Sequence, residues 1–184
     1  ASVSDNMGNL LFYTNGIKVW NSLNELMPNG FGLLANVSST QAATIVKKPG
    51  LNSIYYIFTT DHKASTNGMR YTEVDMSLEN GLGDVNENKN ISILSQTLEK
   101  VMVIRKENMI DYWIVTHLWN SMDFYCFELT SAGLNMTPVI NSIGSLVTGG
   151  GSTAQGYLRA NQTGNQIAIV NGGFLHDVEV FDFN

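Results

Sequence analysis

Ser53-Ile-Tyr-Tyr-Ile-Phe-Thr-Thr60 and Ile110-Asp-Tyr-Trp-Ile-Val-Thr-His117 decide the architecture. Both are dense in β-branched and aromatic residues, which suit a pleated surface. Tyr55 aligns with Tyr112 and Thr59 with Thr116, an offset of about 57 residues. Asn165-Gln-Ile-Ala-Ile-Val-Asn171 is a further copy, and Leu10-Leu-Phe-Tyr-Thr-Asn15 an earlier one. Recurrence at that spacing marks a repeat architecture.

Each copy is followed by a second strand: Ile17-Lys-Val-Trp20, Met69-Arg-Tyr-Thr-Glu-Val-Asp75, Phe124-Tyr-Cys-Phe-Glu-Leu129 and Val178-Glu-Val-Phe-Asp-Phe183. The later three are also preceded by a strand and a turn. Ala43-Thr-Ile-Val-Lys-Lys48 runs into Pro49-Gly-Leu-Asn52, Val101-Met-Val-Ile-Arg105 into Lys106-Glu-Asn108, and Tyr157-Leu-Arg-Ala160 into Asn161-Gln-Thr-Gly-Asn165. Asn, Gly and Pro stand where the chain must reverse tightly. A fourth strand is expected near Gly83–Val85 or Ile91–Leu94, and another near Thr137–Ile140. A single meander cannot bury both of its faces, but meanders stacked radially can. The predicted fold is all-β, a β-propeller segment of about four blades built from antiparallel four-stranded meanders. The blades cover about 1–27, 43–94, 99–142 and 156–184 of one domain. Propellers close with about 4–8 blades, so the chain is expected to be part of a larger propeller. A closed four-blade ring is the alternative.

The 184 residues are 43% hydrophobic and only 14% charged. Disordered tails and charged coiled coils are excluded on that ground. A net charge of −6 disfavours a phosphate backbone as partner, so no nucleic acid is expected. No apolar run approaches the ~18 residues of a membrane span. The single cysteine, Cys126, lies between Tyr125 and Phe127 in a strand and is expected to be a buried free thiol.

Catalytic signatures are thin. Gly30-Phe-Gly-Leu-Leu-Ala35 fits a dinucleotide fingerprint only in letters, because no helix follows to face a pyrophosphate. Asp84-Val-Asn-Glu-Asn-Lys-Asn90 places oxygens at alternate positions, as a calcium loop does. Lys89 and Ser95 stand where that loop needs glycine and glutamate, so a solvated connector is the simpler reading and no cofactor is expected. His62, His117 and His176 fall in or beside the second hairpin of successive blades, at no zinc spacing. No serine has a credible base, so no catalytic residue is assigned.

One recurrence invites a binding role. Small polar clusters end the connectors into the later blades: Ser38-Ser39-Thr40-Gln41, Ser95-Gln96-Thr97 and Ser152-Thr153-Ala154-Gln155. Inner strands line a propeller's channel, so Ser39, Thr40, Gln41, Ser95, Gln96, Ser152, Thr153 and Gln155 would ring one mouth. His117 and an exposed Trp119 would join them. Turn chemistry at strand starts is the plainer explanation of the same residues.

Ser4-Asp-Asn-Met-Gly-Asn-Leu-Leu-Phe-Tyr-Thr-Asn-Gly-Ile-Lys-Val-Trp-Asn21 is followed in order by Met27-Pro-Asn-Gly-Phe-Gly-Leu-Leu34 and Ser38-Ser-Thr-Gln41. Then come Ile54-Tyr-Tyr-Ile-Phe-Thr59, Asn80-Gly-Leu-Gly-Asp-Val85, the 111–117 strand and Val178-Glu-Val-Phe-Asp-Phe183. This series resembles the N-terminal, WD-repeat-like propeller region of large surface proteins of gliding bacteria. Those proteins carry a gliding-motility-associated C-terminal secretion domain. The chain departs from that pattern in the turn Asn161-Gln-Thr-Gly-Asn165. The resemblance implies a bacterial extracellular or cell-surface propeller exported by a type IX secretion system. It implies a non-enzymatic role in binding, adhesion or scaffolding. The partner would be a protein or glycan ligand, or further domains of the same polypeptide. The alternative is a propeller-based enzyme, a lactonase or glycan-active hydrolase, drawing on Asp61, His62, His117 and Asp177 at the channel mouth.

Overall fold

The computed structural model of the chain describes every residue except Phe174. Its first sheet runs β1 (Ser2–Ser4), β2 (Leu10–Thr14), β3 (Lys18–Asn21) and β4 (Leu26–Phe31) in sequence order. The second is β5 (Ala43–Lys47), β6 (Ile54–Thr60) and β7 (Met69–Asp75), with β8 (Asp84–Val85) and β9 (Ile91–Leu94) both on β7. The third repeats that plan with β10 (Thr97–Arg105), β11 (Tyr112–Leu118), β12 (Ser121–Thr130), β13 (Gly133–Leu134) and β14 (Val139–Val147). The fourth has three strands, β15 (Leu158–Ala160), β16 (Gln166–Asn171) and β17 (Asp177–Asp182). Every pairing is antiparallel. The protein is all-β, an open row of four propeller-type blades. β6 and β11 are central in their sheets, as their unbroken apolar runs require.

Alternation along β6 shows how the row is built. Tyr55 and Ile57 enter a cluster with Phe12, Val19 and Met27 of the first sheet. Tyr56 and Phe58, on the opposite face, join Val101, Ile114 and Phe127 of the third. β11 does the same one blade later, with Ile114 in that cluster and Val115 packed among Leu158, Ile167 and Ile169 of the fourth. Each sandwiched sheet is thus apolar on consecutive residues because both faces are core. No hydrophobic cluster among the described residues is shared by the first and fourth sheets.

Several local expectations need adjustment. The fourth strand of the second sheet was expected at either of two places, and both are used: β8 and β9 pair with different parts of β7. The first sheet also has a fourth strand, β4, although Pro28 lies within it. An outer strand tolerates proline because one side needs no ladder bond. The last sheet has no fourth strand among the described residues. In β17 and just after it, Val178 and Val180 are exposed, whereas Phe181 and Phe183 turn the other way and pack on the core between the third and fourth sheets.

Phe58 is fully buried, and Val178 is 64% exposed. Phe58→Ala should lower the unfolding free energy by about 3–5 kcal/mol, and Val178→Ala should change it by less than about 0.5 kcal/mol. Chemical denaturation of the two variants checks both.

Candidate functional site

In the first polar connector Ser39 and Gln41 are buried and Thr40 is half-buried, and their hydrogen bonds are spent on their own chain. The Ser39 hydroxyl pairs with Thr60 Oγ1 at 3.0 Å. Thr40 donates its amide (2.7 Å) and its hydroxyl (2.8 Å) to Glu99 Oε2. Gln41 Nε2 donates to the Val101 carbonyl at 3.2 Å, and Gln41 Oε1 accepts the Leu158 amide at 2.8 Å. The Gly156 amide reaches Thr40 Oγ1 at 3.3 Å. Two residues ahead of β5 therefore tie the second, third and fourth blades together.

The other two connectors differ. Ser95 and Gln96 are exposed, and the Gln96 carbonyl accepts the Trp119 amide at 2.8 Å. Trp119 is half-buried against the core of the last two blades rather than free in solvent. Thr153 is fully buried in a single 3-10 turn, Gly151–Ala154, with its hydroxyl unpaired. Gln155 accepts the Gly172 amide at 3.0 Å, and Ser152 is half-buried in the same turn. The structure thus joins the first and third connectors and leaves the second against the hairpin of its own blade.

Sequence reasoning missed the residues at the centre of this region, Glu99 and Lys100. Both are fully buried. The ladder is irregular between Thr97 and Val101, and such a bulge re-aims side chains. Glu99 accepts the two Thr40 donors and the Lys63 amide at 2.7 Å. Lys100 Nζ donates to Asn171 Oδ1 at 3.0 Å. Burial pushes the Lys100 amine down to about 8, against the opposing pull of Glu99 and Asp177. A wholly buried lysine needs partners, and its partner Asn171 lies 71 residues away, so no local signal marked it.

His117 is also buried, edge-on to Phe124 with ring centres 4.6 Å apart. Its Nδ1 lies 2.8 Å from the Leu118 carbonyl. Burial is the main cause that lowers its pKa to about 4, so the ring is neutral at physiological pH. Of the other members of the hydrolase alternative, Asp61 and His62 form a local pair and Asp177 lies on another blade. Asp61 caps the 3-10 turn His62–Ala64 by accepting the His62 amide and pairs with the His62 ring at 3.3 Å. Asp177, at the start of β17, accepts Asn171 Nδ2 at 3.0 Å. The oxygens of the calcium-like loop also diverge. Asp84 accepts from the Asn29 amide and side chain, Asn86 and Asn88 both donate to Glu73, and Asn90 accepts from the Leu34 amide.

An open concavity lies elsewhere. A groove of about 400 Å³ separates the third blade from the outer edge of the fourth. Trp113, Phe124 and Cys126 form one side, Val139 and Ile143 of β14 the rim, and Phe181 the other side. Burial drives the Cys126 thiol up to about 11, which keeps it protonated and unreactive. β14 crosses close to β17 at Gly144, whose φ is +86° and where a Cβ would come within 2.7 Å of the Phe181 ring. The Ser145 amide and hydroxyl fasten that crossing to the Glu179 carboxylate at 3.0 and 3.2 Å.

Compared with known proteins, the chain matches no family model, no curated protein and no solved structure.

His117 and Lys100 give opposite ends of the stability profile. The folded His117 resists protonation, so its contribution is complete above about 6.5 and is lost as pH falls toward about 4. The folded Lys100 resists protonation too, so stability rises as pH climbs from about 8 toward the ordinary lysine value of 10.5. Each term is roughly 3 kcal/mol at full extent. Denaturation midpoints measured from pH 4 to 10.5 should show both slopes, with His117→Asn flattening the acid one and Lys100→Met the alkaline one. Gln41→Ala leaves the buried Leu158 amide unpaired and should cost about 1–3 kcal/mol in the same assay.

Proposed function

We propose that this chain is a non-enzymatic extracellular or cell-surface propeller module, used for binding, adhesion or scaffolding within a large secreted bacterial surface protein. The observation that carries the reading is the contrast between the polar axis and the surface. Asp61, Glu99, His117 and Asp177 are engaged by their own chain, and His117 is held neutral in the interior. A catalytic acid or base must reach a substrate proton, and a ring in that setting is built to pack. Apolar side chains instead stand outward: Phe31 is 55% exposed at one end of the row and Val180 61% at the other. Surfaces of that kind mark interaction sites. The partner is a protein or glycan ligand, or a further domain of the same polypeptide. The likeness to propeller regions of gliding-motility-associated surface proteins supports export by a type IX system.

Binding and turnover separate this reading from a lactonase or glycoside hydrolase. The immobilised protein should retain a ligand from a panel of glycans and surface proteins, and should not turn over lactones or glycosides. Turnover that disappears in His117→Ala or Asp61→Asn, with folding intact, would overturn it.

A further inference from the structure

Lys100, Asn171 and Asp177 meet where the third and fourth blades join, linked by two contacts. Lys100 Nζ donates to Asn171 Oδ1 at 3.0 Å, and Asn171 Nδ2 donates to Asp177 Oδ1 at 3.0 Å. The lysine and the asparagine are both wholly buried. Gly156 gives the lysine stem its room, because a Cβ there would lie 3.1 Å from Lys100 Cε. A buried ammonium is ordinarily paired with a carboxylate. Among the described residues none comes within ion-pair distance of Nζ. Glu99 is taken up by Thr40 and the Lys63 amide, and Asp177 holds the asparagine nitrogen. Together with the neutral His117 on β11, these two carboxylates are the titratable groups whose fields reach the amine. Lys100 therefore faces an amide carbonyl. Burial lowers its pKa to about 8, which favours the neutral and nucleophilic amine.

We propose that Lys100 and Asn171 join in an isopeptide bond that the chain forms by itself, with Asp177 as the proton carrier. The amide is oriented for this reaction. Its oxygen receives the amine, and the nitrogen that must leave already rests on the carboxylate. Lys100 first releases its extra proton to water. The amine then adds to Asn171 Cγ, forming the new C–N bond and moving the carbonyl electron pair onto Oδ1. Asp177 takes a proton from the attacking nitrogen and delivers one to Nδ2. The Oδ1 pair re-forms the carbonyl as the Cγ–Nδ2 bond breaks. Ammonia leaves and takes up the proton released at the start, so no oxidant or co-reactant is consumed. Asn171-Gly172 also admits a succinimide, closed by the Gly172 nitrogen on the same carbon. Here that amide is spent on the Gln155 carbonyl at 3.0 Å, which leaves Lys100 as the nucleophile at hand. The bond would span 71 positions and keep the third and fourth blades on one tether even when their contacts open. It does not depend on what the module binds.

The test is the mass of the whole chain, folded, incubated near the lysine's pKa of about 8 and then denatured for measurement. The expected mass is that of the sequence less one ammonia. Trypsin should release one branched peptide, residues 90–105 joined through Lys100 to the peptide that begins at Ala160. Lys100→Met and Asn171→Ala should each abolish the loss. Asp177 is half-buried on the last strand, so Asp177→Asn should fold with an unchanged circular dichroism spectrum. It should form the bond at least about tenfold more slowly. Its unjoined chains should keep the alkaline stability slope of Lys100, which joined chains lack. A folded wild-type chain that keeps its full mass overturns the proposal. So does an ammonia loss that survives Lys100→Met, which would assign it to a succinimide. An unchanged rate in Asp177→Asn overturns it as well, because the proton carrier is part of it.

Discussion

A β-sheet that is apolar on both faces needs a neighbour on each side. That requirement organises this protein. Tyr55 and Ile57 need the first blade, and Tyr56 and Phe58 need the third. The row is held by burial between sheets more than by bonds within any one of them. Non-directional burial can align stacked sheets but does not by itself fix how far each inner strand sits from the axis. Directional polar contacts supply that. Thr40 and Gln41 reach Glu99, Val101, Gly156 and Leu158 across three blades, so the axis is set by a few hydrogen bonds at known atoms.

The cost of that arrangement is two buried charges. Glu99 and Lys100 are adjacent in sequence and wholly out of water. Neutral donors satisfy the carboxylate, and one amide oxygen meets the amine. Buried ions are poor contributors to net stability and are strongly destabilising when one partner is removed. Their position suits a device that specifies one arrangement of the inner strands. Gly156 belongs to the same device: its φ is +126°, and a Cβ there would lie 1.9 Å from the Val170 carbonyl.

The repeating strands were legible because their signal is local. Tyr, Ile, Phe, Val and Thr runs bounded by Asn, Gly and Pro predict strands and turns without reference to anything distant, and β6 and β11 fall where those runs fall. The polar clusters were legible as clusters, but their burial was not. Ser39, Thr40 and Gln41 read equally well as a solvated rim and as an interior staple, because their partners lie about 20 to 117 residues away. Glu99-Lys100 was illegible for a related reason. Two neighbouring charges in a strand face opposite sides, and both are buried because the third sheet has a blade packed on each face. β4 was obscured by Pro28 and two glycines, which argue correctly against a helix and say little about an outer strand. The groove was invisible because it is a property of spacing between blades, for which no residue type is a marker.

The bond between Gln41 and Leu158 spans 117 positions of the chain. Each blade can form from contacts close in sequence, whereas this link requires three blades to be in place. Contacts of such separation bear a larger closure entropy and tend to form late. Gln41 therefore belongs to the part of the protein that is made last and released first. Weakening it would hasten unfolding far more than it would slow folding. The blades would then separate as preformed sheets, each with an apolar face newly open to water.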